Sequence, residues 1–455
     1  MGTPVRLIRS PLSILGMVLT TVSAVLFLVV FLADLFGWHS NPYIGIVFFL
    51  LLPGMFLVGL VLIPLGAWIE RRRRARGLAP TVVSWPRIDL NDPIQRRTAV
   101  IVFLLTMANI IIVSLAAFRG VEYMDSPQFC GQVCHTVMKP EFVAYQSGPH
   151  ARVGCVQCHV GPGASGFARA KLSGTRQLLA VTFHTYPRPI PSPVRNLRPA
   201  TETCERCHWP EKFHGDKIRR IYEYANDEKN TESVTTLQVH VGGGSERLGV
   251  AQGIHWHMNV GNVVEYIATD EARDKIPWVR VEDRNGRVRE YVVAGVTPEQ
   301  LAGGERRRMD CMDCHNRPAH LNAATPQRAV DEMIRLGAIP RTLPFVRREA
   351  VKALKTTYAN QDEAERGISR TLGEFFRTSS GGASDHSADV DRAVHAVIAI
   401  YRRNVFPEMR VTFGTYPSNI GHVDAPGCFR CHDDDHKTKE GTALGQDCET
   451  CHSIQ

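Results

Sequence analysis

The sequence predicts a mainly α-helical membrane protein with much irregular structure. Three transmembrane helices lead into a large extracytoplasmic domain with a small β-hairpin region. Three observations carry this reading. Residues 1–119 hold three long apolar stretches, ten of their eleven arginines lie before the first stretch or between the second and third, and the rest of the chain carries six cysteine pairs, each followed at once by histidine.

The apolar stretches run from Leu12 to Ala33, Tyr43 to Ile69 and Thr98 to Phe118. Each approaches or exceeds the roughly 20 residues that cross a bilayer. The first is too long for a secretory signal, and a second span follows it after a short Gly37–Pro42 turn, so it is a retained anchor. Arg6 and Arg9 precede span one, and eight arginines lie between spans two and three (Arg71, Arg72, Arg73, Arg74, Arg76, Arg87, Arg96, Arg97); the turn between spans one and two has none. Positive charge stays on the cytoplasmic side. The N-terminus is therefore cytoplasmic, and everything after Gly120 lies outside the bacterial inner (cytoplasmic) membrane, in the periplasm.

The cysteine motifs are Cys130-Gly-Gln-Val-Cys134-His135, Cys155-Val-Gln-Cys158-His159, Cys204-Glu-Arg-Cys207-His208, Cys311-Met-Asp-Cys314-His315, Cys428-Phe-Arg-Cys431-His432 and Cys448-Glu-Thr-Cys451-His452. Cys-x-x-Cys-His is the attachment site of c-type haem. The thiols become thioethers to the porphyrin edge and the histidine is an axial iron ligand. Zinc sites or disulfides would not require histidine directly after the second cysteine six times in six. All 12 cysteines are consumed, which implies six c-type haems. The first motif alone has three residues between its cysteines, consistent with a wider loop or a single thioether. Because haem plates would replace much side-chain core, the haem-free protein is expected not to fold.

Charge is uneven. Residues 1–119 carry a net +7 and the remainder a net +1, before the haem propionates add negative charge. The basic pI of about 8.9 is thus topological and gives no ground for nucleic-acid binding.

Six irons need six further ligands to be six-coordinate, and twelve histidines lie outside the motifs. The distal candidates from sequence position are His184, His214, His255, His257, His320, His422 and His436. His320 and His436 follow their motif histidines by five and four residues, and His422 precedes Cys428 by six. On a strand, His255 and His257 would share a face, one ligating iron and the other bonding a propionate. His386 and His395 are weaker candidates, in a polar linker and a helix. His39 could serve only by capping the first haem. Full six-coordination favours electron transfer over chemistry at an open iron.

Between the motifs, Val279–Val293 reads as a hairpin turning at Asn285-Gly286, which suits a type I′ turn. Residues 327–376 and 388–405 are helical by periodicity, interrupted at Pro340 and Pro344 and joined by a Gly-rich linker at 381–384; they would pack over the haems. The division is a membrane anchor (1–119), a first haem region with three sites (120–216), a hairpin region with the fourth (217–325), a helical region (326–410) and a C-terminal two-haem region (411–455).

From Phe129 to about Leu179 the chain resembles the NapC/NirT family of membrane-anchored quinol dehydrogenases. The resemblance rests on the first motif with Met138 just after it, Tyr145-Gln-Ser-Gly-Pro-His150, the second motif, and Lys171-Leu-Ser-Gly174. It implies Met138 as a ligand of the first haem, His150 as a distal ligand of a later one, and Lys171 beside a menaquinol site. This sequence departs from the family in the wider first motif, in the position of Met138 and in having three spans rather than one. It also has no Asp or Glu in residues 160–200, where the family's carboxylate would stand. Asp125 and Glu141, flanking the first motif, are the candidate proton acceptors; the competing reading is that both are surface acids. The three spans and large haem domain are also similar to inner-membrane multihaem cytochromes of metal-respiring bacteria.

The expected function is oxidation of menaquinol at the outer membrane face, with electrons passing to a periplasmic cytochrome or reductase in anaerobic respiration. Two alternatives are an electron-wire subunit of a larger membrane complex and a terminal oxyanion reductase with one open haem, for which Arg306, Arg307 and Arg308 would supply positive charge.

Overall fold

The computed structural model describes residues 10–35, 52–77, 89–133, 135–160, 164–194, 197–209, 213, 215–242, 253–258, 261–379 and 387–455. The chain forms two compact units, residues 1–126 and 127–455.

The first unit contains α1 (Pro11–Leu35), α2 (Leu52–Ala75) and α3 (Pro93–Met124), each long and apolar enough to cross a membrane. Leu57, Val61, Phe103 and Leu104 are exposed, as helices that face lipid require. α1 and α2 pack closely through small residues. A Cβ on Gly16 would lie 2.7 Å from the Gly59 carbonyl oxygen, so only glycine permits this backbone approach. Ser13 Oγ donates to the Ile63 carbonyl at 2.8 Å. Asp92 accepts from the Ile94 N–H at 2.9 Å and Pro93 takes the first helical position, a strong start signal for α3. At 32 residues, α3 spans about 48 Å, more than the ~30 Å hydrocarbon core. The part of span two before Leu52 lies outside the described residues.

The second unit combines short motif-bearing turns, two antiparallel sheets and four packed helices. α4 (His135–Gln146) and α5 (Ala164–Thr182) flank the first two motifs. The strands are β1 (Lys217–Tyr224), β2 (Glu232–Val239), β3 (Val263–Ala268), β4 (Trp278–Glu282), β5 (Val288–Val293), β6 (Glu305–Arg308), β7 (His436–Lys437) and β8 (His452–Ile454). They form sheets of order β1-β2-β8 and β6-β3-β4-β5-β7. These sheets position the motifs. Val239 of β2 pairs with His452, and β6 ends three residues before Cys311. The β4–β5 hairpin is present, but its turn is not type I′. Gly286 takes φ +74° while Asn285 stays at negative φ, and Asp283 accepts from the N–H groups of both Asn285 and Arg287.

The helices α6 (Pro326–Arg335), α7 (Val346–Lys355), α8 (Gln361–Ser379) and α9 (Ser387–Asn404) pack mainly on one another, around Val330, Ile339, Val346, Ile368, Leu372 and Val397. They have a protein core of their own rather than serving only as cover for haem. The 381–384 linker lies outside the described residues. Buried Asn230, at the β1–β2 turn, donates to the carbonyls of Arg341 and Leu343 and accepts from the Arg347 N–H, tying that hairpin to the helices.

A third cluster joins Val137 of α4 to Phe406, Met409, Val411 and Tyr416. Phe406 is fully buried. Phe406→Ala is expected to cost about 3–5 kcal/mol, the usual loss for a buried aromatic. Denaturant unfolding followed by circular dichroism should show the midpoint falling with an unchanged slope.

Candidate haem-binding site

The motif segments are short helices or helical turns, a geometry that puts the two cysteines about one turn apart with the histidine beside them. Cys155–His159, Cys311–Cys314 and Cys448–Cys451 are α-helical; Cys204–Arg206 and Gly427–Arg430 are 3₁₀ turns. Asp310 caps the fourth by accepting from the Met312 N–H at 2.8 Å, and Asp447 caps the sixth by accepting from the Glu449 N–H at 3.1 Å. None of the described cysteines, which are all but Cys134, is in a disulfide. Partial burial pushes Cys431 up to about 12.

The thiols also lie within electrostatic reach of one another in chain order. Cys130 shares a hydrogen bond with Cys155, which brings Cys155 down to about 7. Cys204 acts on both Cys158 and Cys311, and Cys428 acts on both Cys314 and Cys451. Each motif thus has a cysteine near one of the next motif in chain order.

Opposite five of the motif histidines stands a second imidazole. The ring centres are 6.2 Å apart for His159 and His320, 6.0 Å for His208 and His150, and 6.3 Å for His315 and His255. They are 5.9 Å apart for His432 and His257, and 6.2 Å for His452 and His422. A metal held between two imidazoles, at about 2 Å from each nitrogen and with each nitrogen ~1.1 Å from its ring centre, needs about 6 Å. All five spacings fit an iron between the rings.

Four of the five second imidazoles are oriented for ligation by a backbone carbonyl. Nδ1 of His150 bonds the Pro318 carbonyl at 3.0 Å, that of His320 the Glu141 carbonyl at 3.0 Å, that of His255 the Val241 carbonyl at 3.0 Å and that of His257 the Ile254 carbonyl at 2.9 Å. A carbonyl can only accept, so each Nδ1 carries the proton and Nε2 keeps its lone pair for a metal. Partial burial holds His255 and His257 below the ordinary imidazole range, which favours the neutral form.

Of the candidates, His436 and the 255–257 segment depart from the expectation. His436 is buried with both ring nitrogens engaged, Nδ1 by Asp433 at 2.8 Å and Nε2 by the Ile276 carbonyl at 2.6 Å, leaving none for iron. His255 and His257 lie on a 3₁₀ turn, Ile254–Met258, rather than on a strand, and face two different motif histidines. His184 is exposed and packs edge-on against Tyr186. Glu141 is largely buried against Arg317, whose NH2 donates to Oε2 at 2.8 Å, so it is an ion-pair partner rather than an open proton acceptor. Asp125 is exposed, in the membrane unit. Met138 is half-buried on α4, one helical turn after His135. His39, His214, His386, Cys134 and the side chains of His135 and Lys171 lie outside the described residues.

Two arginines gave no sequence signal. Buried Arg430, an interior residue of the fifth motif, donates to the carbonyls of Gly427 (2.9 Å), Arg273 (3.0 Å) and Asp313 (2.6 Å), the last belonging to the fourth motif. Arg317 joins Glu141 and the His320 carbonyl and lies 4.1 Å from the Tyr416 ring centre.

Residues 93–189, from α3 through α5, match the N-terminal region of the NapC/NirT cytochrome c family. The chain is also 43% identical, over 448 residues, to the cytochrome c-type protein ImcH of Geobacter sulfurreducens, covering 98% of this chain and 88% of the relative. The chain belongs to the NapC/NirT cytochrome c family. It is a membrane cytochrome of the electron-transfer class, related to a c-type cytochrome of Geobacter. No solved structure matches it. The family match ends at residue 189, so four of the five second imidazoles (His255, His257, His320 and His422) lie beyond it in this NapC/NirT-family cytochrome.

Proposed function

We propose that this cytochrome carries six c-type haems, accepts electrons from menaquinol at the outer face of the bacterial inner membrane, and passes them to a periplasmic cytochrome or reductase. Bound haem supplies reversible one-electron chemistry. The chain's own contribution is to fill the axial positions and set the order of the sites. The observation that carries the reading is the series of five opposed imidazole pairs. An iron with two imidazoles has no open face for a substrate, which argues for a relay and against an oxyanion reductase. The arginines invoked for such a reductase are partly paired already: Arg306 with Glu265, and Arg307 with Glu305 and Asp313.

Electrons would enter at the first motif, whose Cys130 follows the end of α3 by six residues of chain, and leave from a later site. The NapC/NirT resemblance supports Lys171 as a residue of the quinol site.

The test uses full-length protein in detergent. Haem analysis should give six haems per chain, and menadiol should reduce the protein in stopped flow. Lys171→Ala should slow that reduction at least tenfold with haem content and spectra unchanged. Native protein that dithionite reduces but menadiol does not would favour an electron-wire subunit of a larger complex. An unchanged rate in the variant would move the quinol site elsewhere.

A further inference from the structure

We infer that Gly253–Met258 is a two-iron bridge. His255 is the second axial ligand of the haem on Cys311 and Cys314, His257 that of the haem on Cys428 and Cys431, and the turn between them holds these two haems as one mechanical unit. This rests on the six-haem reading and adds an assignment outside the stretch that matches the family.

The geometry comes from the turn. In a 3₁₀ helix each residue rotates the chain by about 120°, so positions i and i+2 point in different directions, whereas on a strand they share a side. His255 therefore meets His315 at 6.3 Å while His257 meets His432 at 5.9 Å. The turn is fixed at both ends. Ile254 and His255 donate their N–H groups to the carbonyls of His240 and Val241 at 2.9 and 3.1 Å. Asn262 Nδ2 donates to the Trp256 carbonyl at 2.9 Å. Gly253 enters the turn at φ +76°, where a Cβ would lie 2.4 Å from the His240 carbonyl oxygen, so the entry admits only glycine. A second link joins the same two motifs. Arg430 of the fifth reaches the Asp313 carbonyl of the fourth at 2.6 Å. The haems that this turn couples are thus fixed to each other twice, and their separation should be rigid.

The two ends also differ in a measurable way. The His255 and His315 rings are parallel within 3°, whereas those of His257 and His432 are crossed at 89°. Parallel axial imidazoles give a rhombic low-spin EPR signal, and crossed ones a highly anisotropic signal with a large g value.

The experiment is low-temperature EPR with near-infrared magnetic circular dichroism on the full-length holoprotein carrying His255→Met, His257→Met or Gly253→Ala. Thioethers hold haem whatever the distal ligand, so six haems should remain in each. His255→Met should remove one rhombic signal and His257→Met one highly anisotropic signal. Each should add one methionine–iron charge-transfer band of single-haem intensity and raise one potential. Gly253→Ala should perturb both signals together. If either methionine variant fails to accumulate, His→Gly at that position with free imidazole restoring the lost signal reads the same site. A histidine whose replacement leaves the native set of low-spin signals unchanged overturns the bridge. Both variants acting on one signal overturns it equally. Native protein with six haems and menadiol reduction would leave the broader reading intact in that event, whereas fewer than six haems would fail that reading first.

Discussion

The full-length chain made without haem attachment is expected to keep the four helices between 326 and 405 folded while residues 127–216 unfold. The difference lies in where the apolar core comes from. Between Val330 and Val405, twenty-one buried side chains form one protein-only cluster. Among the described residues of 127–216, only Val137, Ala144, Tyr145 and Ala200 are buried apolar side chains. Four such groups, at no more than about 3 kcal/mol each, yield at most about 12 kcal/mol. Ordering that stretch costs roughly 1–2 kcal/mol per residue, which this core cannot offset. Covalent haem supplies the missing apolar surface, as a metal does for small metal-folded domains. The measurement is hydrogen exchange with mass spectrometry on the detergent-solubilised chain, comparing holoprotein with a variant whose motif cysteines are all alanine. Amides in α6–α9 should stay protected and those of α4 and the second and third motifs should exchange at once. Equal protection of both regions in the variant would refute the idea. Equal loss in both would mean that the helical module also depends on haem.

The same contrast explains what was legible in the sequence. Covalent chemistry needs two thiols and a histidine within one turn, so each attachment motif is contiguous and readable. The membrane helices were equally plain, because a bilayer demands a long unbroken apolar run. Second ligands face no such constraint. His320 meets His159 across 161 positions of chain and His422 precedes its partner His452 by 30, so sequence offered candidates but no pairing. His436 looked like a ligand because it follows His432 closely. Its ring is instead spent on Asp433 and the Ile276 carbonyl, a partner 160 residues away. The His255-Trp-His257 spacing suggested a strand. A 3₁₀ turn gives the two histidines different partners, and nothing local in the sequence distinguishes these cases once Gly253 is overlooked. Glu141 was visible as a carboxylate near the first motif, but the arginine that occupies it is 176 residues away.

That arginine carries the second large effect. Arg317→Ala is expected to destabilise the haem unit by about 3 kcal/mol, because it strands a largely buried carboxylate rather than merely deleting a contact. Arg317 and Glu141 are only 10% and 14% exposed, and the guanidinium also bonds the His320 carbonyl and lies over Tyr416. The loss should be felt at the second motif. Glu141 presents its carbonyl 3.0 Å and its Oε2 3.3 Å from His320 Nδ1, and releasing its negative charge from Arg317 would make that imidazole a stronger donor to iron. The potential of one haem should therefore fall in Arg317→Ala, while Glu141→Gln should raise it. Urea unfolding gives the stability change and a spectroelectrochemical titration gives the potentials. A double variant, Arg317→Ala with Glu141→Ala, should recover part of the lost stability, because no charge is then left buried without a partner. Strictly additive losses would show that the two side chains act independently. An unchanged set of potentials would show that the pair braces α4 without tuning the iron beside His320.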